Sequence, residues 1–236
     1  FAADDESEVE EVVVVGSQIK GAKITGSLPV SVVTGIDIEA SGAIDGDDLL
    51  EHIAEQGQNY FTEAEDASGG VNASRGDVGA YNLRNLGVGN SLTLLNGRRL
   101  VNSPGYQTEL IGGDYVPTVS VNSNLIPVSG IERLEILRDG ASAVYGADAV
   151  AGVINTVLQD DYEGLSVTAR VSGYDHFEAQ DTTITAKWGS FFNDGATNVS
   201  VFFDHYDRDN INAQEDPRWG AGDHRPFVDD DSPWKT

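Results

Sequence analysis

The sequence predicts an α+β domain followed by a run of antiparallel β-strands, and three observations carry that expectation. The first is the stretch Ile131 to Gly146. Strand-like alternation, with Ile131, Arg133, Glu135 and Leu137 against Glu132, Leu134 and Ile136, enters a charged Arg138-Asp139-Gly140 turn and then a small-residue helical turn. A second apolar segment comes next, Ala149 to Leu158. The second observation is Asn96-Gly97 between two apolar runs, a hairpin signal because both turn residues must adopt positive φ. The third is a change of texture after Tyr162, where apolar and polar residues alternate over three successive segments.

Taken along the chain, residues 1–10 are acidic and without periodicity, which reads as a mobile tail. Glu11-Val12-Val13-Val14-Val15-Gly16 favours extended structure, because branching at Cβ suits the pleat. Two readings fit it: a buried edge strand, or an exposed strand that awaits a partner, with Glu8, Glu10 and Glu11 restraining aggregation. Residues 17–30 read as a linker or loop, and Val30 to Val33 as a short strand. Asp45 to Gln56 reads as a helix, with Asp45 as cap, Asp47 and Asp48 in the first turn, and Leu49, Leu50 and Ile53 on one face.

Residues 63–80 and 102–120 read as long loops rich in Gly, Ser, Asn and Pro. Ser91 to Leu95 and Arg98 to Val101 flank the Asn96-Gly97 turn. Charged residues within the apolar surroundings of Ile131 to Leu137 need partners, because an unpaired buried charge is costly. Beyond Tyr162, Leu165, Val167, Ala169 and Val171 alternate with Ser166, Thr168, Arg170 and Ser172. Ile184, Ala186 and Trp188 alternate with Thr183, Thr185 and Lys187, and Val199, Val201 and Phe203 lie in a third such segment. This pattern fits either a half-buried meander or a transmembrane barrel wall. Arg208 to Thr236 reads as an acidic, Pro-containing loop.

Composition narrows the function classes. The 236 residues hold 39 Asp and Glu against 14 Lys and Arg, which argues against nucleic acid and against a polybasic membrane contact. Cys is absent, so no disulfide framework or thiolate chemistry is expected. No run approaches the ~18 apolar residues of a membrane helix, so a membrane role would use strands.

No catalytic constellation stands out, and the chain reads as a non-enzyme without a cofactor. His52, His176, His205 and His224 are scattered, outside any zinc-like spacing. Gly87-Val88-Gly89 lacks the third Gly of a dinucleotide fingerprint and reads as a turn. Asp229-Asp230-Asp231 lacks the alternation of a calcium loop and reads as a solvated acidic run. Arg84, between apolar neighbours in Tyr81-Asn82-Leu83-Arg84-Asn85-Leu86-Gly87, and Arg138, between a strand and a tight turn, are candidate sites. Both could face a concave wall and pair with carboxylates, which the planar guanidinium grips in bidentate fashion. The plain alternative is a pair of surface arginines.

The motifs occur in a particular order. Asn82 to Gly87 comes first, then Thr93-Leu94-Leu95-Asn96-Gly97-Arg98-Arg99-Leu100, then Asn124-Leu125-Ile126-Pro127, then Ile131 to Gly146, then Asp148 to Asn155. This series resembles the plug of TonB-dependent outer-membrane receptors. The resemblance covers residues 11–160 as plug and 164–207 as the first barrel strands. It implies an α+β plug domain followed by antiparallel strands of an incomplete transmembrane β-barrel. The implied divisions are an N-terminal tail, TonB-box-like strand and linker (1–29), a plug (30–160), and first strands with an extracellular loop (161–236).

The same resemblance implies a location in the cell outer membrane with the plug facing the periplasm. It implies energised import of a scarce solute such as a siderophore, cobalamin, sugar or peptide. Glu11 to Gly16 then resembles the TonB box, a strand that the C-terminal domain of TonB adds to its own sheet. The partners implied are this domain of the inner-membrane energy-transducing complex, outer-membrane lipid and the remainder of the barrel. Arg84 and Arg138 match family arginines that pair with barrel glutamates and hold the plug closed. One departure is Asn85, where the family usually has Gly; Asn tolerates positive φ better than most residues. A second is the barrel, which needs about 22 strands to enclose a plug, so the chain is expected to be part of a longer receptor or one piece that pairs with another. On this reading Leu165, Val167, Ile184, Trp188, Val199 and Phe203 face lipid, and Arg170, Lys187 and Asp204 face the lumen. The rival from another class is a soluble, acidic, β-rich binding or adhesion domain, which explains the alternation but not the ordered motifs. A receptor signalling through an extra N-terminal domain is a third reading, for which the early position of the Val run leaves no room in this chain.

Overall fold

β6 (Ile131–Leu137) and β7 (Gly152–Leu158) pair antiparallel inside a five-stranded mixed sheet, with β1 (Val30–Thr34) beside β6, and β2 (Ser91–Leu95) then β3 (Arg98–Arg99) beyond β7. The computed structural model describes residues 30–57, 78–103, 107–138, 142–175, 177–210 and 215. β1 (Val30–Thr34) lies on one edge, antiparallel to β6. β2 (Ser91–Leu95) runs parallel to β7 and turns through Asn96 and Gly97, both at positive φ, into the two-residue β3 (Arg98–Arg99). The Asn-Gly hairpin expected from sequence is therefore present, with a return strand shorter than Arg98 to Val101.

The central strands bury both faces. Leu134, Ile136 and Ile154 join Leu49, Leu50, Ile53, Tyr81 and Leu83 in the main core, while Leu137 and Val153 meet Leu92 and Leu94 on the other side. Strict alternation would set Ile131 beside Arg133 and Glu135. A bulge between Ile131 and Arg133 shifts the register, and Ile131 joins the main core instead.

The charges inside β6 have the partners that burial demands. Glu135 is fully buried; its Oε1 accepts from Arg133 Nε at 2.9 Å and its Oε2 from Asn155 Nδ2 at 3.0 Å. Arg133 also reaches Glu132 at 2.6 Å. Asn155 Oδ1 in turn accepts from the Gly97 amide at 2.8 Å, which ties this network to the hairpin.

The helices are shorter and more numerous than the apolar pattern suggests. α1 (Gly35–Ser41) starts on a capping box: the Thr34 side chain accepts from the Asp37 amide, and Asp37 accepts from the Thr34 amide. The Thr34 hydroxyl, which donates to Asp37 Oδ2 at 2.7 Å, and then the Thr34 amide hold the Asp37 carboxyl below its usual range. α2 (Gly46–Glu51) starts on Asp45, as expected, but stops at His52 rather than Gln56. The chain turns there because residues 55–57 pair with residues 82–84: the Arg84 amide donates to the Glu55 carbonyl at 2.8 Å, and the Gly57 amide to the Asn82 carbonyl at 2.6 Å. A third short helix, α3, spans Ser142–Tyr145, where the sequence predicts a helical turn.

Two loop readings are corrected. Residues 102–120 contain a hairpin, β4 (Gln107–Ile111) with β5 (Asp114–Thr118), turned by Gly112 and Gly113 at φ of 63° and 95°. Glycine and proline read as strand breakers, yet Gly-Gly supplies the turn, and Pro117 is tolerated in a two-stranded ribbon that has edge strands alone. At the end of residues 63–80, Val78 and Ala80 are buried rather than exposed. A Cβ on Gly79 would collide with both Asp47 Oδ1 and Ser123 Oγ, so the bare backbone lets this segment enter the interior.

Tyr81 is enclosed in the main core, and burial pushes its hydroxyl up to about 12. The neutral form is favoured in the folded state, so its contribution is intact below the unfolded value near 10 and is lost as pH rises toward 12. Tyr81→Phe is expected to flatten the stability loss over that window, measured by denaturant titration at a series of alkaline pH values.

The second sheet has the order β10-β9-β8, all antiparallel: β8 (Gly164–Gly173), β9 (Gln180–Phe192) and β10 (Thr197–Arg208). A short turn at Asn193-Asp194-Gly195, all at positive φ, joins β9 to β10.

Candidate functional site

Arg84 and Arg138 come together in space, 54 residues apart in sequence. Arg84 sits at φ 54° and Asn85 at φ 58°, so the turn that the family pattern fills with Gly is kept here by Asn. The turn is supported from inside: the side chain of buried Asn82 donates to Asn85 Oδ1 at 3.2 Å and accepts from the Gly87 amide at 2.8 Å. A Cβ on Gly57 would collide with the Asn85 amide nitrogen, which makes Gly57 a condition of this geometry.

The Arg84 guanidinium donates through Nη2 to the carbonyls of Arg138 and Ala151, at 2.8 and 2.9 Å. It therefore braces the ends of β6 and β7 against each other. Arg138 Nη1 lies 3.8 Å from Glu55 Oε1, and the same oxygen accepts from Ser31 Oγ of β1 at 2.6 Å. Arg138 Nε is buried without a hydrogen-bond acceptor among the described residues. Ser31, Glu55, Arg138 and Arg84 thus form one chain of contacts from the edge strand to the arginine pair. Sequence reading missed Glu55 and Ser31, since neither lies in a motif.

The three-stranded sheet has unlike faces. Leu165, Val167, Ile184, Trp188, Val199 and Phe203 are all exposed, and the register sets Leu165, Trp188 and Val201 side by side on one face. The opposite face carries Arg170, Lys187 and Asp204 and meets the mixed-sheet domain. Asp204 accepts from the Ser129 amide at 3.1 Å and from the Ser129 hydroxyl. Lys187 Nζ lies 3.6 Å from Glu39 Oε1 of α1. Gly130 abuts Phe202 so closely that a Cβ would lie 2.7 Å from the ring. A cavity of about 320 Å³ remains in this seam, lined by α1, the 128–131 turn and the polar wall residues. A sheet that shows its apolar face outward and its polar face to the domain reverses the arrangement of a water-soluble sandwich.

Near the far end of the wall, Asp181 accepts from Tyr174 Oη at 2.6 Å and from Arg208 Nε at 3.0 Å, and Arg208 lies over the Tyr206 ring. Among the described residues no cluster of three or more His, Asp or Glu is placed to hold a metal ion, and no helix is long and apolar enough to cross a membrane. The strand expected at Glu11 to Gly16 lies outside the described residues.

Comparison with known proteins agrees with this geometry. The family model described as the TonB-dependent receptor plug domain matches residues 22–153. The fold is similar to the siderophore receptor PirA from Acinetobacter baumannii, with a TM-score of 0.56 and 18% identity over 78% of this chain and 25% of that one. It is similar to a mutant of the ferric enterobactin receptor PfeA from Pseudomonas aeruginosa, with a TM-score of 0.56 and 18% identity over 80% of this chain and 26% of that one. The chain spans about a quarter of the length of these receptors.

Proposed function

Because the chain belongs to the TonB-dependent receptor plug domain family, we propose that it is the N-terminal part of an outer-membrane receptor that imports a scarce solute. The observation that carries this reading is the inverted three-stranded sheet, with an exposed apolar outer face and a polar inner face bonded to the plug. In this reading residues 30–160 are the plug and residues 161–236 the opening of the barrel wall and an outer loop. The role is that of a receptor and transporter rather than an enzyme. Residues 1–29 carry the strand Glu11 to Gly16, which the TonB C-terminal domain adds to its sheet from the periplasmic side; main-chain hydrogen bonds supply the grip, which suits a Val run. The solute is a siderophore, cobalamin, sugar or peptide, met by the part of residues 63–80 that precedes the buried Val78 and by the β4–β5 hairpin within residues 102–120. Arg138, whose side chain is 41% exposed, pairs with carboxylates of the remaining barrel, and Arg84 holds the strand ends that present it.

Spin labels at Leu165 and Val199 in the membrane-bound receptor are expected to report lipid contact; water contact at both would rule out the barrel reading in favour of a soluble adhesion domain. Deleting Val12 to Val15 is expected to abolish energised uptake while solute binding persists, and unchanged uptake would remove the TonB-box assignment.

A further inference from the structure

The seam cavity is floored by two wall strands, and their register fixes the order of its polar groups. Ser166 lies opposite Lys187, Thr168 opposite Thr185, and Arg170 opposite Thr183. Each of these residues lines the cavity, since residues two apart on a strand, or directly paired across strands, share a face. The floor therefore carries Lys187 at one end, Arg170 at the other, and hydroxyls beside and between them. The two cations stand about 13 Å apart along the strands, at roughly 3.3 Å per residue.

Both cations are weakly compensated. The Lys187 side chain is 16% exposed, yet its partner Glu39 lies 3.6 Å away, beyond hydrogen-bond length, and is itself 77% exposed. Arg170 donates through Nε to Ser172 Oγ at 3.2 Å and has no carboxylate partner among the described residues, which leaves its terminal nitrogens to a solute. The remaining carboxylate, Asp204, stands mid-floor opposite Thr185, and both its oxygens accept from Ser129. At that point it repels an anion, but its further lone pairs can accept from a hydroxyl.

We propose that the seam cavity is a binding site for a short, polyhydroxylated dicarboxylate. One carboxylate displaces Glu39 from Lys187, the other lies on the Arg170 guanidinium, and the hydroxyls between them meet Thr168, Thr185 and Asp204. A planar guanidinium grips a carboxylate through two parallel bonds. Two single negative charges match two cations one for one, whereas phosphate ends would bring about twice that charge beside Asp204 and Glu39. At about 320 Å³ the cavity lies at the small end of ligand pockets, which favours a short chain over an oligosaccharide. The site needs the domain and the wall docked as they stand.

Titration calorimetry of the purified full-length protein tests this with three six-carbon probes. D-glucarate carries acids and hydroxyls, adipate acids alone, and glucitol hydroxyls alone. Glucarate is expected to bind about tenfold or more tightly than either of the others, since charge-assisted bonds at its ends and hydroxyl bonds between them act together. Arg170→Gln and Lys187→Gln are each expected to weaken it about tenfold or more. Thr185→Val is expected to narrow the gap between glucarate and adipate. Glu39→Gln is expected to tighten glucarate binding a few-fold, because the competing carboxylate is gone; a pair that only fastens α1 to the wall would give no such gain. No binding of millimolar glucarate, glucitol bound as tightly as glucarate, or glucarate binding untouched by both cation variants overturns the proposal. Uptake plays no part in the measurement, so loss of the import reading would leave these outcomes as they stand.

Discussion

Arg133→Met is expected to lower stability by about 3 kcal/mol, because it takes the guanidinium from a carboxylate that has no access to water. Glu135 is fully buried, while Arg133 is 20% exposed and keeps Glu132 as a second partner. The asymmetry sets the direction: losing the cation is worse than losing the pair. The double substitution Arg133→Met with Glu135→Leu is expected to recover most of the loss, since an apolar pair of similar volume is often neutral in place of a buried ion pair. Urea titration of the chain in detergent micelles measures both. Equal losses in the single and double variants would mean that the network contributes through Asn155 and the Gly97 amide instead.

Gly152→Ala is expected to cost about 3 kcal/mol or more, from two independent causes. Gly152 sits at φ 147°, a region that L side chains rarely adopt. Its Cβ would lie 2.6 Å from the Leu137 carbonyl oxygen and 2.7 Å from Leu83 Cδ1. Neither neighbour can yield, because Leu137 is in the central strand and Leu83 is fully buried. The consequence reaches the arginine pair, since the adjacent Ala151 carbonyl is one of the two acceptors of Arg84. The same urea titration is the check, with Gly97→Ala as a comparison: it lies at positive φ but meets nothing within 4 Å, so its cost is expected to be the smaller. Equal costs would show that backbone strain alone acts at Gly152.

Much of the fold is legible where one local rule is enough. Asn96-Gly97 names its own turn, Asp45 its own cap, and the alternation after Tyr162 its own strands. α1 was also legible, through Thr34 and Asp37 at capping-box spacing, but one buried residue leaves no apolar stripe to draw attention to it. The β4–β5 hairpin was hidden because Gly112, Gly113 and Pro117 serve a two-stranded ribbon as readily as a loop. The end of α2 was not legible at all. The chain leaves the helix so that residues 55–57 can pair with residues 82–84, and no local signal encodes a partner some 30 residues away.

The candidate site divides in the same way. The order of motifs, the setting of Arg84 between apolar neighbours and of Arg138 ahead of a tight turn, the need for partners within Ile131 to Leu137, and the two-faced character of the strands after Tyr162 can all be read from the chain. These are properties of spacing and residue type. What those groups touch follows from packing between remote segments. Arg84 reaches carbonyls of Arg138 and Ala151, Glu55 stands between Ser31 and Arg138, and Asp204 and Lys187 meet Ser129 and Glu39 across the seam. The physical reason is range. Propensity and periodicity act over a few neighbouring residues, whereas a hydrogen bond or ion pair depends on distances of a few ångströms that packing of remote segments sets.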